Sequence, residues 1–255
     1  MIIDSHIHLD KYPEQERVKL LKDLEDDNIE ALISVSNHLA SAKKNLALAA
    51  ADKRVKPAFG FHPEQTLPNE EELLVLLRFI EEHAEHMIAI GEVGLPYYLR
   101  KKDERLSVTP YLEVLEAFIE QASTLKKPIV LHAIYEDAPL VCDLLEKHSI
   151  ASAHFHWFKG SVKTVERIIA NGHYISVTPD CVYETEIQQV IKQVPLSQMM
   201  VETDGPWPFE GPFLHEKTHP RMIHKSINMI ANLKQVTKEE VYSQIHQNTK
   251  EFYPM

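Results

Sequence analysis

The chain has 255 residues, of which 44% are apolar and 25% are charged, and this composition excludes disordered, collagen-like and disulfide-scaffold proteins. Its formal charge of −11 argues against a broad electrostatic grip on long nucleic acid, although a nucleotide end could still be held at a metal centre. It has no apolar run long enough to form a transmembrane helix. Two cysteines and the lack of a signal peptide predict a cytoplasmic protein.

Eight short runs rich in apolar and β-branched residues predict strands that are covered on both faces. They span residues 1–5, 30–36, 55–60, 87–93, 128–132, 151–156, 173–178 and 199–203. Amphipathic helical patterns separate them, at 15–28, 41–51, 70–85, 111–125, 138–148, 161–170, 184–194 and 221–234. Eight alternations of strand and helix predict an α/β fold, a TIM (β/α)8 barrel that occupies residues 1–255 as one domain.

Two features follow the last predicted strand. A long irregular stretch from Gly205 to Pro220 contains four prolines, which prevent regular structure. Thr237 then begins a terminal helix, and Glu240 three residues later completes a capping-box pattern. We expect the irregular stretch to form part of a functional rim.

Histidines and carboxylates are concentrated at the carboxyl ends of the predicted strands. In a (β/α)8 barrel, functional groups lie where the strands end and the βα loops begin. Seven side chains that can bind metal occupy such places on six strands, and we expect them to converge on one mouth: His6, His8, His62, Glu92, His132, His156 and Asp204.

The types of donor predict a metal centre. Imidazole and carboxylate without thiolate suit Zn²⁺, Mn²⁺ or a similar divalent ion, and Mg²⁺ is a further candidate. His6 and His8 are two residues apart, so in an extended segment both rings point the same way. Four histidines and two carboxylates exceed what one tetrahedral ion needs, which favours two ions sharing Glu92. Such a pair, about 3.5–4 Å apart, would hold a bridging hydroxide and polarise the scissile phosphoryl or carbonyl oxygen.

Most of these residues also have a plainer interpretation when taken singly. The pair of histidines near the amino terminus could form a polar turn, and His132 and His156 could be structural. Asp204 could cap a helix or a turn. Glu92 is harder to explain in this way, because a buried ionised carboxylate at the end of an apolar strand needs a partner or a metal.

Six motifs follow one another along the chain in the order that is typical of one family. The chain resembles the TatD-like metal-dependent deoxyribonucleases of the amidohydrolase superfamily through Ile3-Asp4-Ser5-His6-Ile7-His8-Leu9-Asp10, Gly60-Phe61-His62-Pro63, Gly91-Glu92-Val93-Gly94-Leu95, Pro128-Ile129-Val130-Leu131-His132, His156-Trp157-Phe158-Lys159-Gly160 and Glu202-Thr203-Asp204-Gly205-Pro206. The resemblance covers essentially the whole chain. It implies a TIM-type barrel with a divalent metal centre, and 3′–5′ exonuclease or other phosphodiester hydrolysis.

The resemblance also implies an assignment of ligands to two ions. His6, His8, Glu92 and Asp204 would bind the first ion. Glu92, His132 and His156 would bind the second.

Four positions depart from the pattern of the family. Pro96 stands where the family usually has aspartate, Ile134 where it has arginine, and Lys159 where it has a small residue. The family's Asn-Glu-Pro sequence after the last strand is replaced by Thr218-His219-Pro220. The lost arginine removes a bidentate partner for phosphate, which His62, Lys159 or His219 could replace only with a point charge.

We therefore predict a hydrolase of phosphate esters, with a nucleic-acid end as a candidate substrate. Asp204 would hold one ion and take the proton of the attacking water, with Glu92 as the second catalytic carboxylate. His62, Lys159 and His219 would contact the substrate. The alternatives are a two-metal hydrolase of a small carboxyl ester, lactone or amide, and a non-catalytic protein that binds metal.

Aromatic residues flank two of the predicted ligands. Trp157 and Trp207 lie close in sequence to His156 and Asp204, where they could stack on a base or simply pack the rim. Tyr97 and Tyr98 could line the pocket or cover it.

Overall fold

The computed structural model describes all 255 residues, and its eight parallel strands lie side by side in chain order. The strands are β1 (Ile2–Ile7), β2 (Ile29–Ser34), β3 (Val55–Phe59), β4 (Ala89–Gly94), β5 (Ile129–His132), β6 (His154–Phe155), β7 (Tyr174–Val177) and β8 (Met199–Val201). Nearly all of their residues are buried, as expected for strands that are covered on both faces.

Hydrogen bonds join the end of the sheet to its beginning. The backbone N–H of Asp204 donates to the carbonyl of His6 at 2.9 Å, and that of His8 donates to Gly205 at 2.8 Å. Closer to the barrel axis, the Ser5 hydroxyl donates to the carbonyl of Val201 at 2.9 Å. The sheet therefore curls into a TIM-type barrel, which confirms the predicted fold.

Ten α-helices surround the strands. They are α1 (Glu14–Asp23), α2 (Leu39–Ala51), α3 (Glu70–Glu82), α4 (Tyr97–Lys102), α5 (Thr109–Leu125), α6 (Asp137–Lys147), α7 (Val162–Ala170), α8 (Thr185–Gln193), α9 (Ile223–Lys234) and α10 (Lys238–Phe252). The capping box of Thr237 and Glu240 is formed at the start of α10 as predicted. None of the helices combines the length and the apolar composition that a membrane crossing requires.

Apolar residues near the amino ends of the strands fill that end of the barrel interior. Ile3, Ala31 and Ala89 belong to one buried cluster, and Phe252 and Tyr253 from the end of α10 pack into it. A larger core lies between the strands and the surrounding helices. The polar side chains of the interior are thereby left to the carboxyl ends of the strands.

Several elements differ from the sequence prediction in their bounds, and β6 is reduced to His154–Phe155. β1 continues to Ile7, which pairs with Ser34, so His6 lies inside the strand rather than after it. α1 ends at Asp23, five residues before the predicted end. The short helix α4 was not predicted, because its run of two tyrosines and three cations shows no apolar periodicity. The stretch from Gly205 to Pro220 contains no α-helix or strand, as expected.

Candidate metal centre

The carboxyl ends of three strands bring the first set of donors together. The Nε2 atoms of His6 and His8 lie 3.3 and 3.2 Å from Oε2 of Glu92. The same two nitrogens each lie 3.4 Å from Oδ1 of Asp204. β1 supplies His6, and His8 directly follows that strand. β4 supplies Glu92, and Asp204 follows β8. Four donor atoms thus surround one point inside the mouth of the barrel.

The spacing of these donors fits a tetrahedral ion. Ligand atoms about 2.0–2.1 Å from a zinc-sized ion lie about 3.3–3.4 Å from one another. Nε2 of His6, Oε2 of Glu92 and Oδ1 of Asp204 are buried and have no hydrogen-bond partner in the protein. Such orphaned polar atoms are rare in a folded protein unless something fills the space between them. The first set therefore fits a divalent cation.

A second set of donors meets at the other oxygen of the same carboxylate. Oε1 of Glu92 lies 2.7 Å from Nε2 of His156 and 3.0 Å from Nδ1 of His132. These two nitrogens are 3.3 Å apart. Nε2 of His62 also lies 3.3 Å from Oε1. One carboxylate therefore bridges two neighbouring sets of nitrogen donors, the arrangement expected for two ions that share a ligand.

The predicted substrate contact His62 thus lies among the donors. Its Nε2 faces Glu92, and its Nδ1 accepts a hydrogen bond from the backbone N–H of Glu64 at 3.1 Å. This placement suits the metal-binding capacity expected of His62 from the sequence better than a contact to the substrate alone.

The histidines keep the buried carboxylates ionised. Burial alone would raise the pKa of Glu92, but the surrounding imidazoles, that of His62 first, hold it well below its usual range. Burial would likewise raise the pKa of Asp204, whereas its two histidine partners lower it. Burial would lower the pKa of His156, but Glu92 and Glu202 raise it well above its usual value. The centre is thus a set of anionic oxygens and ring nitrogens removed from water.

Glu202, directly after β8, orients one of these histidines. Its Oε1 lies 3.3 Å from Nδ1 of His156 and accepts a hydrogen bond from the N–H of Trp157 at 2.8 Å. Its other oxygen accepts from the hydroxyl of Ser176 at 2.5 Å. A carboxylate at Nδ1 leaves Nε2 free to face the metal centre, as is common for histidines that bind metal.

Glu64 lies near His132 on the side away from Glu92, at ion-pair distance but without a hydrogen bond. Its Oε1 lies 3.4 Å from Nε2 of that histidine, which leaves Nδ1 to face Glu92. The Glu64 carboxylate also accepts the backbone N–H groups of Tyr98 and Leu99 at 2.7 and 2.8 Å, both in α4. This side chain therefore connects a predicted metal ligand to a helix at the rim of the barrel.

The two remaining predicted substrate contacts lie in different places. Lys159 is at the rim, with its Nζ 3.8 Å from Oδ2 of Asp180 and 5.4 Å from the centre of the Trp157 ring. His219 is not among the donors. Its ring lies 3.8 Å from the carboxylate of Asp23, the last residue of α1. It lies 3.6 Å from that of Asp27, which follows the helix.

Sequence reasoning missed the two orienting carboxylates, although the chain carries signals for both. Glu202 and Asp204 are two residues apart after an apolar strand, so they lie on the same side of an extended segment. Glu64 has the same spacing from His62. In each case the prediction included only the candidate ligand and omitted the carboxylate two residues away on the same face.

Comparisons with known proteins identify relatives of the whole chain. The family model described as TatD related DNase matches residues 3–254. A protein of Haemophilus influenzae named as an uncharacterized metal-dependent hydrolase is 37% identical, over 99% of both chains. The human protein named deoxyribonuclease TATDN3 is 28% identical, over 99% of this chain and 94% of its own.

The fold is also that of a solved relative. The crystal structure of YJJV, a TatD homologue from Escherichia coli K12, superposes with a TM-score of 0.88 at 21% identity and covers 100% of this chain and 98% of its own. The match of the family model over almost the whole length leaves no doubt about the relationship. The chain belongs to the TatD-related DNase family of metal-dependent hydrolases.

Proposed function

We propose that this protein is a metal-dependent phosphodiesterase that removes nucleotides from a DNA end, in the manner of a 3′–5′ exonuclease. The observation that carries the proposal is the single carboxylate, Glu92, between two sets of nitrogen donors. The relative named deoxyribonuclease TATDN3 supports the choice of substrate. We also propose a cytoplasmic location, which agrees with two free and buried cysteines.

The proposed ligands of the first ion are His6, His8, Glu92 and Asp204. Those of the second are Glu92, His132 and His156, with His62 as a candidate for its fourth position. Bound there, two divalent ions would lower the pKa of water and neutralise the charge that develops on a phosphodiester. Zn²⁺ and Mn²⁺ suit the mixed nitrogen and oxygen donors, and Mg²⁺ suits them less well.

Asp204 is the proposed proton acceptor for the attacking water. Its side chain keeps 11% of its surface exposed, whereas that of Glu92 keeps none. Only Asp204 of the two can therefore reach incoming water while one of its oxygens faces the histidines. Glu92, which is enclosed on all sides, is better placed to hold the two donor sets at a constant separation.

Lys159 is the proposed contact to the substrate phosphate. It lies at the rim three residues after His156, and the buried side chain of Ile134 offers no charge in place of the missing arginine. A lysine supplies a point charge without the bidentate geometry of arginine. We therefore expect weaker ground-state binding of phosphate than a guanidinium would provide.

The test is hydrolysis of a short single-stranded oligodeoxynucleotide labelled at its 5′ end, after chelation and reloading with Zn²⁺, Mn²⁺ or Mg²⁺. A ladder that shortens from the 3′ end, and that depends on added metal, supports the proposal. The matched control is Glu92→Gln, which keeps the shape of the side chain but removes its charge, and which we expect to abolish the ladder.

The same preparation separates the competing functions. If lactones or carboxyl esters are turned over and no phosphodiester is cleaved, the protein is a hydrolase of carboxyl compounds. If metal binds in stoichiometric amounts but no substrate of either class is turned over, the protein only binds metal.

A further inference from the structure

Almost all aromatic side chains of this protein are covered, with two exceptions. Tyr98 keeps 47% of its surface exposed and Trp207 keeps 59%, whereas every other tyrosine and phenylalanine and the remaining tryptophan are buried or half-buried. An exposed ring is costly unless it has a use, because large aromatic side chains are among those most stabilised by burial. Both exposed rings occur at the mouth of the barrel.

Each exposed ring adjoins a different member of the metal centre. The ring of Tyr98 lies 6.3 Å from that of His132. Trp207 donates its backbone N–H to the carbonyl of Asp204 at 3.1 Å, and its ring meets the edge of Trp157 at 6.2 Å. The indole N–H of Trp157 donates a hydrogen bond to Asp180 at 2.7 Å, so Trp207 packs against a ring that is held by this bond.

Tyr98 belongs to the most basic segment of an acidic chain. Helix α4 ends in Arg100, Lys101 and Lys102, the longest run of cations in the sequence. Arg100 pairs with the buried carboxylate of Asp137, which attaches the helix to the barrel. The two lysines remain at the surface, and Lys101 lies 5.4 Å from the centre of the Tyr97 ring.

Two acidic groups near this segment have partners of their own, and the exposed Glu104 forms no ion pair with either lysine. Glu64 accepts backbone N–H groups at the start of α4 and faces His132. Asp103 pairs with Arg105 at 2.9 Å. The positive charge of Lys101 and Lys102 is therefore not cancelled by a direct ion pair, and it lies within one helical turn of the exposed ring of Tyr98.

We propose that α4 and Trp207 form a binding cleft for an unpaired nucleic-acid strand. Tyr98 and Trp207 stack on two bases beside the metal centre, while Lys101 and Lys102 bind the backbone phosphates that lead away from it. Aromatic stacking accepts any base and requires that the base be unpaired. This inference rests on the proposed function and specifies its substrate as a single strand.

The cleft also accounts for how an acidic protein could hold a polyanion without the family's arginine at position 134. Two lysines neutralise about two phosphates, and each phosphate on a single strand contributes about −0.7 to the slope of log affinity against log salt. We therefore expect a shallow slope of about −1.4 from this helix, with most of the affinity coming from stacking.

The test measures binding separately from cleavage. Fluorescence anisotropy of a short 5′-fluorescein thymidine oligonucleotide is recorded on protein carrying Asp204→Asn, so that the strand stays intact. Adding Tyr98→Ala or Trp207→Ala should each weaken binding by about tenfold, within the range measured for one stacked base. Adding Lys101→Gln and Lys102→Gln together should reduce the salt slope by about 1.4.

Two matched controls should leave binding unchanged. Leu214→Ala removes a comparably exposed apolar side chain from the same loop as Trp207. Lys192→Gln with Lys238→Gln removes two exposed lysines at the opposite end of the barrel, in the last turn of α8 and the first turn of α10. A blunt duplex of the same length should bind at least about tenfold more weakly than the single strand.

Equal binding of duplex and single strand, or undiminished binding by both alanine variants, would overturn the cleft. If the unmodified protein nevertheless degrades the oligonucleotide, the proposed function survives and only the cleft is wrong. If the strand binds as expected and is not cleaved with any of the three metals, the cleft stands and the proposed exonuclease activity fails.

Discussion

At the scale of single residues, Glu92 is the side chain on which the centre depends. Its Oε2 faces His6 and His8, and its Oε1 faces His132 and His156. It is the only carboxylate that faces nitrogens of both sets, and it is completely buried. The ring of His6 also stacks on that of His156, at 3.8 Å between centroids. A bridging carboxylate is also the residue that the sequence singled out as hardest to explain without a metal.

Replacement of Asp204 tests the acceptor of the proton. Asn keeps the shape and one oxygen but cannot take a proton near neutral pH. We expect Asp204→Asn to fold normally, to keep at least one metal per chain, and to lose about 10²–10⁴-fold in turnover. Single-turnover rates and metal analysis measure the two effects. Turnover near that of the unmodified protein would exclude Asp204 from the chemical step.

Replacement of Glu64 tests a carboxylate that orients a ligand. With Glu64→Ala, Nε2 of His132 loses the carboxylate that lies 3.4 Å away, and we expect affinity for the second ion to fall about 10–100-fold while the first ion is retained. His132→Ala should remove the second ion altogether. Metal titration followed by calorimetry distinguishes the two. Glu64→Gln, which can still accept a hydrogen bond, should recover part of the affinity, and equal loss in the Ala and Gln variants would contradict the orienting role.

At the scale of elements, the proposed metal ligands lie at the carboxyl ends of the strands, and an apolar cluster packs at their amino ends. β1, β4, β5 and β8 end in or next to proposed ligands, whereas the starts of the strands pack against the end of α10. α4 is the exception to a simple alternation of strand and helix. It lies between β4 and α5 and brings Tyr98 to the rim, attached through Glu64 to the metal centre.

His173, directly before β7, makes the free energy of unfolding depend on pH. Burial lowers its pKa to about 4, and neither ring nitrogen has a hydrogen-bond partner. The unfolded chain, with a pKa near 6.5, binds a proton between these values and the folded chain does not. Stability should therefore fall by up to about 3 kcal/mol as the pH drops from about 6.5 to about 4.

The variant His173→Phe isolates this contribution, because it keeps the ring against Phe155 and cannot titrate. Urea unfolding at about pH 7.5 and about pH 4.5 should show a smaller acid-induced loss in the variant than in the parent. Equal losses would mean that His173 is protonated in the folded protein.

At the scale of the whole molecule, closure of the barrel couples the two ends of the chain. β1 bonds to the segment that follows β8, and the hydroxyl of Tyr253 near the carboxyl terminus bonds to His154 on β6 at 2.7 Å. Residues 1–255 as one domain stays a prediction. A barrel closed in this way should unfold in one cooperative transition, with equal calorimetric and van't Hoff enthalpies.

Metal should raise the temperature of that transition. An ion that binds only the folded chain at about 100 times its Kd adds about 2.7 kcal/mol. For a chain of this size, this corresponds to an increase in Tm of about 5–10 °C over chelated protein. Calorimetry with and without a chelator measures it. Two separated transitions would contradict the single domain. A Tm that does not change when metal is added would contradict the metal centre.

The sequence by itself determined the barrel fold and most of the side chains that meet at its mouth. Eight buried runs separated by amphipathic helices allow few architectures, because parallel strands need helical crossovers. Once the strands are placed, their carboxyl ends must meet, so His6, Glu92 and Asp204 were bound to approach one another although they lie far apart in the chain.

Only the tertiary structure decided which atoms face each other. The distances that divide the donors into two sets around Glu92 depend on strand register and side-chain rotamers, which have no local signature in the sequence. The same is true of His62, which joins the donors, and of His219, which packs against the end of α1 instead. Glu64 reaches His132 across two loops, and contacts of this kind form only when the barrel closes, since they join residues that have no periodic relation along the chain.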